Sequence, residues 1–145
     1  MKRIAVFLQC LGAVLCVIAA ARYMTASEFM PYHAVVAGQS WQSLSPGLQT
    51  VILGMLRILA GGFLACGMAL AVLAWPVNQG HAWASWSALA IGAAVWLPTL
   101  SVTFLLKAAQ PAAEPPTLAT AAIFVVIAAA SIIGALRPRS APREA

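Results

Sequence analysis

Four stretches of this chain, Ile4 to Ala21, Ile58 to Trp75, Trp83 to Leu106 and Thr117 to Leu136, run for 18, 18, 24 and 20 residues without a charged side chain. At 1.5 Å of rise per helical residue even the shorter ones reach about 27 Å, close to the hydrocarbon thickness of a bilayer. A soluble fold would have to bury all four against one another. With 63% of its residues hydrophobic and 8% charged, the chain lacks the polar surface such a fold needs, since soluble domains carry about a quarter charged residues. A bilayer covers the outward faces instead, and segments of this length satisfy their backbone there only as helices. The sequence therefore predicts an all-α, integral membrane four-helix bundle, with residues 1–136 as one transmembrane domain and 137–145 as a basic tail too polar to enter the membrane and expected to be disordered.

The first run follows Lys2-Arg3. Ala19-Ala20-Ala21 offers small residues for signal-peptide cleavage, but the run exceeds the 7–15 apolar residues typical of such signals, so it reads as a retained span. The second helix starts at Ser45-Pro46, a side-chain cap followed by a proline whose missing N–H costs nothing at the first position, and nothing stops it before Trp75-Pro76. Thirty residues make about 45 Å, more than the hydrocarbon layer holds. Arg57 divides them. Before it, Leu48, Val51, Ile52, Met55 and Leu56 share one helical face, an amphipathic extension of helix 2. With the aromatic loop 22–45 it forms a cap over residues 22–57. Val77 to Ala82 reads as a short turn, Pro98 as a kink that does not prevent spanning, and Ala108 to Pro116 as a linker.

The net charge of +5 forms no stripe that would suit nucleic acid, so none is expected as a partner. Instead Lys and Arg sit at the ends of apolar runs and report topology. Four spans put Lys2, Arg3, Arg137, Arg139 and Arg143 on one side against Arg22, Arg57 and Lys107 on the other, which predicts both termini in the cytoplasm.

The strings Glu28-Phe-Met-Pro-Tyr-His-Ala34, Gly38 with Trp41 and Leu44, Leu56-Arg57 with Gly61-Gly62, and Pro98-Thr99-Leu100 resemble a group of small, uncharacterised bacterial four-helix inner-membrane proteins over most of the first hundred residues. That resemblance implies a bacterial inner-membrane location and implies no activity. Members of the group often have a basic second turn, whereas here it reads Asn78-Gln79-Gly80-His81.

Reactive side chains gather in the outer cap. Glu28, Tyr32, His33, Trp41, Gln49 and Arg57 are the candidate ligand or partner residues, and a loop folded over the bundle mouth could bring Glu28 to Arg57, a pair less screened at the membrane edge than in water. The plainer reading is that Arg57 snorkels to the headgroups. Met30 and His33, with Met24 and Glu28, could hold a soft cation such as Cu(I), although Pro31 breaks the helical register across them and no metal is expected. Haem held by two histidines does not fit, because the four-span topology puts His33 and His81 on opposite sides of the membrane. Trp75, Trp83 and Trp86 bracket the second turn as a headgroup belt, and Tyr23, Tyr32 and Trp41 would serve on the outer side. Only Trp96, deep in the third span, lies outside that explanation. Gly54, Gly61, Gly62 and Ala65 mark helix packing, within the bundle or between copies.

Several function classes lose their central groups. Cys10, Cys16 and Cys66 lie inside apolar runs, so the loop-placed pairs of a four-helix oxidative enzyme are missing. Glu28, Glu114 and Glu144 all lie outside the spans, so no carboxylate could exchange a drug for a proton. No paired-carboxylate, Ser-His-Asp or phosphate-loop set can be assembled, and no cofactor is expected. The expected role is non-enzymatic, an accessory or assembly subunit contacting lipid and other membrane proteins or further copies of itself. A small transporter using Pro98, Thr99, Ser101, Thr103 and Arg57 is the alternative, and a metal-handling protein built on Glu28 and His33 comes third.

Overall fold

In the computed structural model residues 2–136 are described, and the tail 137–145 lies outside them. Helix α1 covers Lys2–Met24, α2 Pro31–Ala37, α3 Pro46–Gln79, α4 Ala82–Ala109 and α5 Thr117–Ala135, with a 3₁₀ turn at Trp41–Ser43 and no strand among the described residues. Helices α1, α3, α4 and α5 are long and apolar enough to cross a membrane. The chain is a multi-pass membrane protein, and the expected helical bundle is present.

Local chemistry sets most boundaries. Ser45 Oγ accepts the Leu48 N–H at 3.4 Å and Pro46 occupies the first turn, as the sequence predicts. The end of α3 differs from the expectation, because the helix runs through Pro76 to Gln79 and the turn shrinks to Gly80-His81. Proline removes only the bond to the carbonyl one turn back, and the added turn is held by Val77, which is buried against Ala5 and Ala84. The stop comes from Gly80, whose left-handed φ of 93° lets its N–H reach the Pro76 and Val77 carbonyls. Pro31 breaks the helical register as expected: residues 25–30 are non-helical, and Pro31 opens the separate helix α2, with its fixed φ suited to a first turn and Gly38 closing the helix at φ 64°.

Each of α1 and α4 packs against both α3 and α5, so the four spanning helices form a ring with α1 diagonal to α4. On α3 the buried residues Leu56, Ala60, Phe63, Gly67, Leu70, Ala74 and Val77 recur at alternating steps of four and three. That 3.5-residue period is the seam of left-handed coiled-coil packing. Ala5, Gln9, Ala13, Cys16 and Ala20 supply the facing side from α1. Gly67 permits the close approach, since a Cβ there would stand 3.0 Å from the Ala13 carbonyl oxygen and 3.1 Å from Cys16 Cβ.

The packing residues expected from the sequence lie elsewhere. Gly61, Gly62 and Ala65 are exposed and Gly54 half-exposed, and a Cβ at any of the three glycines would meet nothing within 4 Å. They sit off the seam by one or two residues, which on a helix turns a side chain to another face. In-bundle packing by these four is therefore corrected to packing by Gly67. The apolar stripe of the extension divides: Leu48, Val51 and Met55 are exposed, Ile52 is half-buried, and Leu56 turns inward with the half-buried Gln49.

One polar residue is hidden in the first run. Gln9, 1% exposed, donates from Nε2 to the Leu70 carbonyl at 3.1 Å and so ties α1 to α3. In hydrocarbon such a bond between helices contributes about 0.6 kcal/mol on average, and it has few competitors for its geometry.

Candidate functional site

The loop after α1 is pinned at the bundle end where α1 finishes and α3 starts. Phe29 is buried edge-on to Trp41 at a centroid distance of 5.2 Å and to His33 at 6.4 Å. Gln49 Nε2 donates to the Trp41 carbonyl at 2.9 Å, which fastens the loop to the first turn of α3. Tyr32 and His33 meet edge-on at 4.3 Å, and burial lowers the His33 pKa below its usual 6.5. Tyr32 shares a 2.9 Å hydrogen bond with the Tyr23 hydroxyl. Its phenol is held protonated first by burial, then by that bond, against a smaller opposing pull from Arg22.

From Tyr23 a line of rings continues inward. Tyr23 tilts onto Phe63 at 5.7 Å, and Phe63 stacks on Trp96 at 4.8 Å with the planes 13° apart. Ring contact thus runs from α1 through α3 to α4, and the Tyr23–Tyr32 hydrogen bond ties it to the loop. It forms the back wall of a cavity of about 480 Å³ reaching α5, with apolar sides such as Leu15 and Ile123 and with Arg22, Tyr32, Thr99, Glu114 and Thr120 as its polar lining.

Of the residues expected to matter, the structure brings Tyr32, His33, Trp41 and Gln49 into one cluster with Phe29. Glu28 and Arg57 remain exposed, and no ion pair joins them among the described residues. Met30 is buried as the residue preceding α2, next to Phe29 in sequence, while His33 engages rings. Among the described residues no three of His, Cys, Asp and Glu come together at metal-binding distance. The hydroxyls of Thr99, Ser101 and Thr103 turn back onto their own helix, donating to the carbonyls of Val95, Pro98 and Leu100 at 2.7–2.8 Å.

The sequence marks Tyr23 as a membrane-belt residue and Glu114 only as an acid outside the spans, yet both line the cavity. The single signal was Trp96, a mid-span tryptophan without an interface to explain it, which proves to be the floor of the aromatic wall. Lys107 is also more than a topology marker, because its Nζ donates to the Pro111 and Ala113 carbonyls at 2.8 and 3.0 Å and holds the linker that carries Glu114. Comparison of the chain with protein-family models, with curated proteins and with solved structures gives no match.

Proposed function

We propose that this chain is a non-enzymatic accessory or assembly subunit of a bacterial inner membrane, with both termini cytoplasmic, which docks laterally against another membrane helix. The observation that carries this reading is the free outer face of α3. Gly54, Gly61, Gly62 and Ala65 are not used by the bundle, and in a lipid environment small residues let a second helix backbone come close enough for dispersion contacts that lipid tails do not make. Lipid alone does not require glycines there, and each costs about 1 kcal/mol of helix propensity relative to alanine. The excess of Lys and Arg at the two chain ends supports the orientation, and the resemblance noted above supports the location.

Purification of the full chain in mild detergent after cross-linking in membranes tests the reading. A stoichiometric partner, or a second copy, should be captured by the wild type and lost on Gly61→Leu with Ala65→Leu, while abundance and thermal stability stay unchanged. A chain that remains monomeric and partnerless under the same conditions would refute it.

A further inference from the structure

The cavity beside the aromatic wall goes beyond that reading, because it faces a different side of the bundle. We propose that it binds the headgroup region of a zwitterionic aminophospholipid drawn from the surrounding bilayer.

Its opening is lateral. Ile18 on α1 and Ala119 and Ala122 on α5 line the cavity and are exposed, so the gap between these helices leads into the hydrocarbon layer instead of being sealed by it. A volume of about 480 Å³ takes a headgroup and the start of an acyl chain, and the rest of the chains stay in the membrane. The apolar lining from Leu15, Ile18 and Ile123 suits the chain portion.

The polar lining carries both signs. Arg22 comes from the last turn of α1 and Glu114 from the linker before α5, and no ion pair joins them. A lone cation would select an anionic lipid and a lone carboxylate a cation. Two opposite charges on separate walls match a molecule that holds a phosphate and an ammonium a few bonds apart. The tyrosines add a donor: in the bond between Tyr23 and Tyr32 one hydroxyl uses its proton, and the other keeps a proton with no acceptor among the described residues. Phosphate oxygens would accept hydrogen bonds from that hydroxyl and from the Arg22 N–H groups, and Glu114 would accept from the ammonium. Choline offers no N–H for that contact, and phosphatidylglycerol offers no positive charge.

The full chain in nanodiscs made from equal parts of phosphatidylethanolamine, phosphatidylcholine and phosphatidylglycerol, released into a native mass spectrometer, tests the proposal. One phosphatidylethanolamine should stay on each chain in preference to the other two, and Arg22→Gln or Glu114→Gln should cut its retention about tenfold, the loss of one charge-assisted hydrogen bond. Ala122→Trp, which blocks the opening, should abolish it. Equal or greater retention of phosphatidylglycerol or phosphatidylcholine overturns the proposal, as does a lipid-free wild type. If the charge variants fail to accumulate, the headgroup competition on the wild type decides alone.

Discussion

The thiol sulfurs of Cys16 on α1 and Cys66 on α3 lie 3.8 Å apart inside the bundle, with the Trp96 indole of α4 beside them. Three helices therefore meet at one point, and both cysteines belong to the core cluster that also holds Phe63 and Ile127. As buried, soft, nearly apolar groups they fill the space left where Gly67 draws α1 onto α3.

That proximity can be read chemically. A membrane-permeant oxidant such as molecular iodine should convert the two thiols to a disulfide, with loss of two protons and two electrons to the iodine. The mass should fall by two hydrogens within one chain, and Cys16→Ser or Cys66→Ser should abolish the change. Cys10, which is exposed, should remain open to alkylation by an apolar reagent. Cross-linking between chains in place of this internal bond would contradict the α1–α3 contact.

Two glycines of α3 should respond oppositely to the same change. At Gly67 an added side chain meets the Ala13 carbonyl at 3.0 Å, and that atom is backbone that cannot swing away. Gly67→Val should destabilise the bundle by about 1–3 kcal/mol, the usual cost of overpacking. At Gly61 an added Cβ meets nothing within 4 Å, so Gly61→Val should stay within about 0.5 kcal/mol of wild type in an isolated chain. Thermal unfolding in one detergent compares them directly.

Removal of the Trp96 ring should be costly. It is nearly fully buried and stacked on Phe63, so its loss leaves a void where three helices meet. Trp96→Ala should cost about 3 kcal/mol or more, while Trp96→Phe keeps the stack and should lose less. Trp86, which is exposed on the same helix, is the control: Trp86→Ala should leave the unfolding midpoint within a degree or two.

These contrasts also show what the sequence exposes. The four spans, the Ser45-Pro46 start and the long α3 were legible because each depends on length or on one capping interaction. The inward face of α3 was not. In a soluble helix the polar side betrays the buried one, but here Ile58, Leu64, Met68 and Val72 face outward and are as apolar as the seam. The Gly61 and Ala65 spacing therefore reads as packing on either face. Gln9 gives no signal in the sequence, because one polar residue in an apolar run has no visible partner until α3 brings the Leu70 carbonyl to it. Within the cap, Gln49 and Trp41 stand out separately in the sequence and prove to be bonded. The cavity joins Arg22 to Glu114, residues 92 positions apart, which no local pattern can relate.

The loop should loosen in mild acid, with His33 as the cause. Burial against Phe29 and Tyr32 lowers its pKa below 6.5, so the folded loop holds the neutral ring and the unfolded loop protonates first. Above pH 6.5 neither state carries the proton, and the stabilising difference is fully present. As pH falls below 6.5 the open form gains protons that the closed form refuses, so the free energy of opening declines until pH passes the lowered pKa of the folded ring. Glu28 does not offset this, since its carboxylate is exposed and has no hydrogen bond or ion pair to the ring. Hydrogen exchange at the α2 amides, compared at pH 7.5 and pH 5.5 after correction for intrinsic rates, should show less protection at the lower pH. His33→Gln should remove that difference while the α3 and α4 amides stay unchanged in both proteins. Protection that rose on acidification would show that His33 gains a stabilising partner when charged, the opposite of what its burial requires.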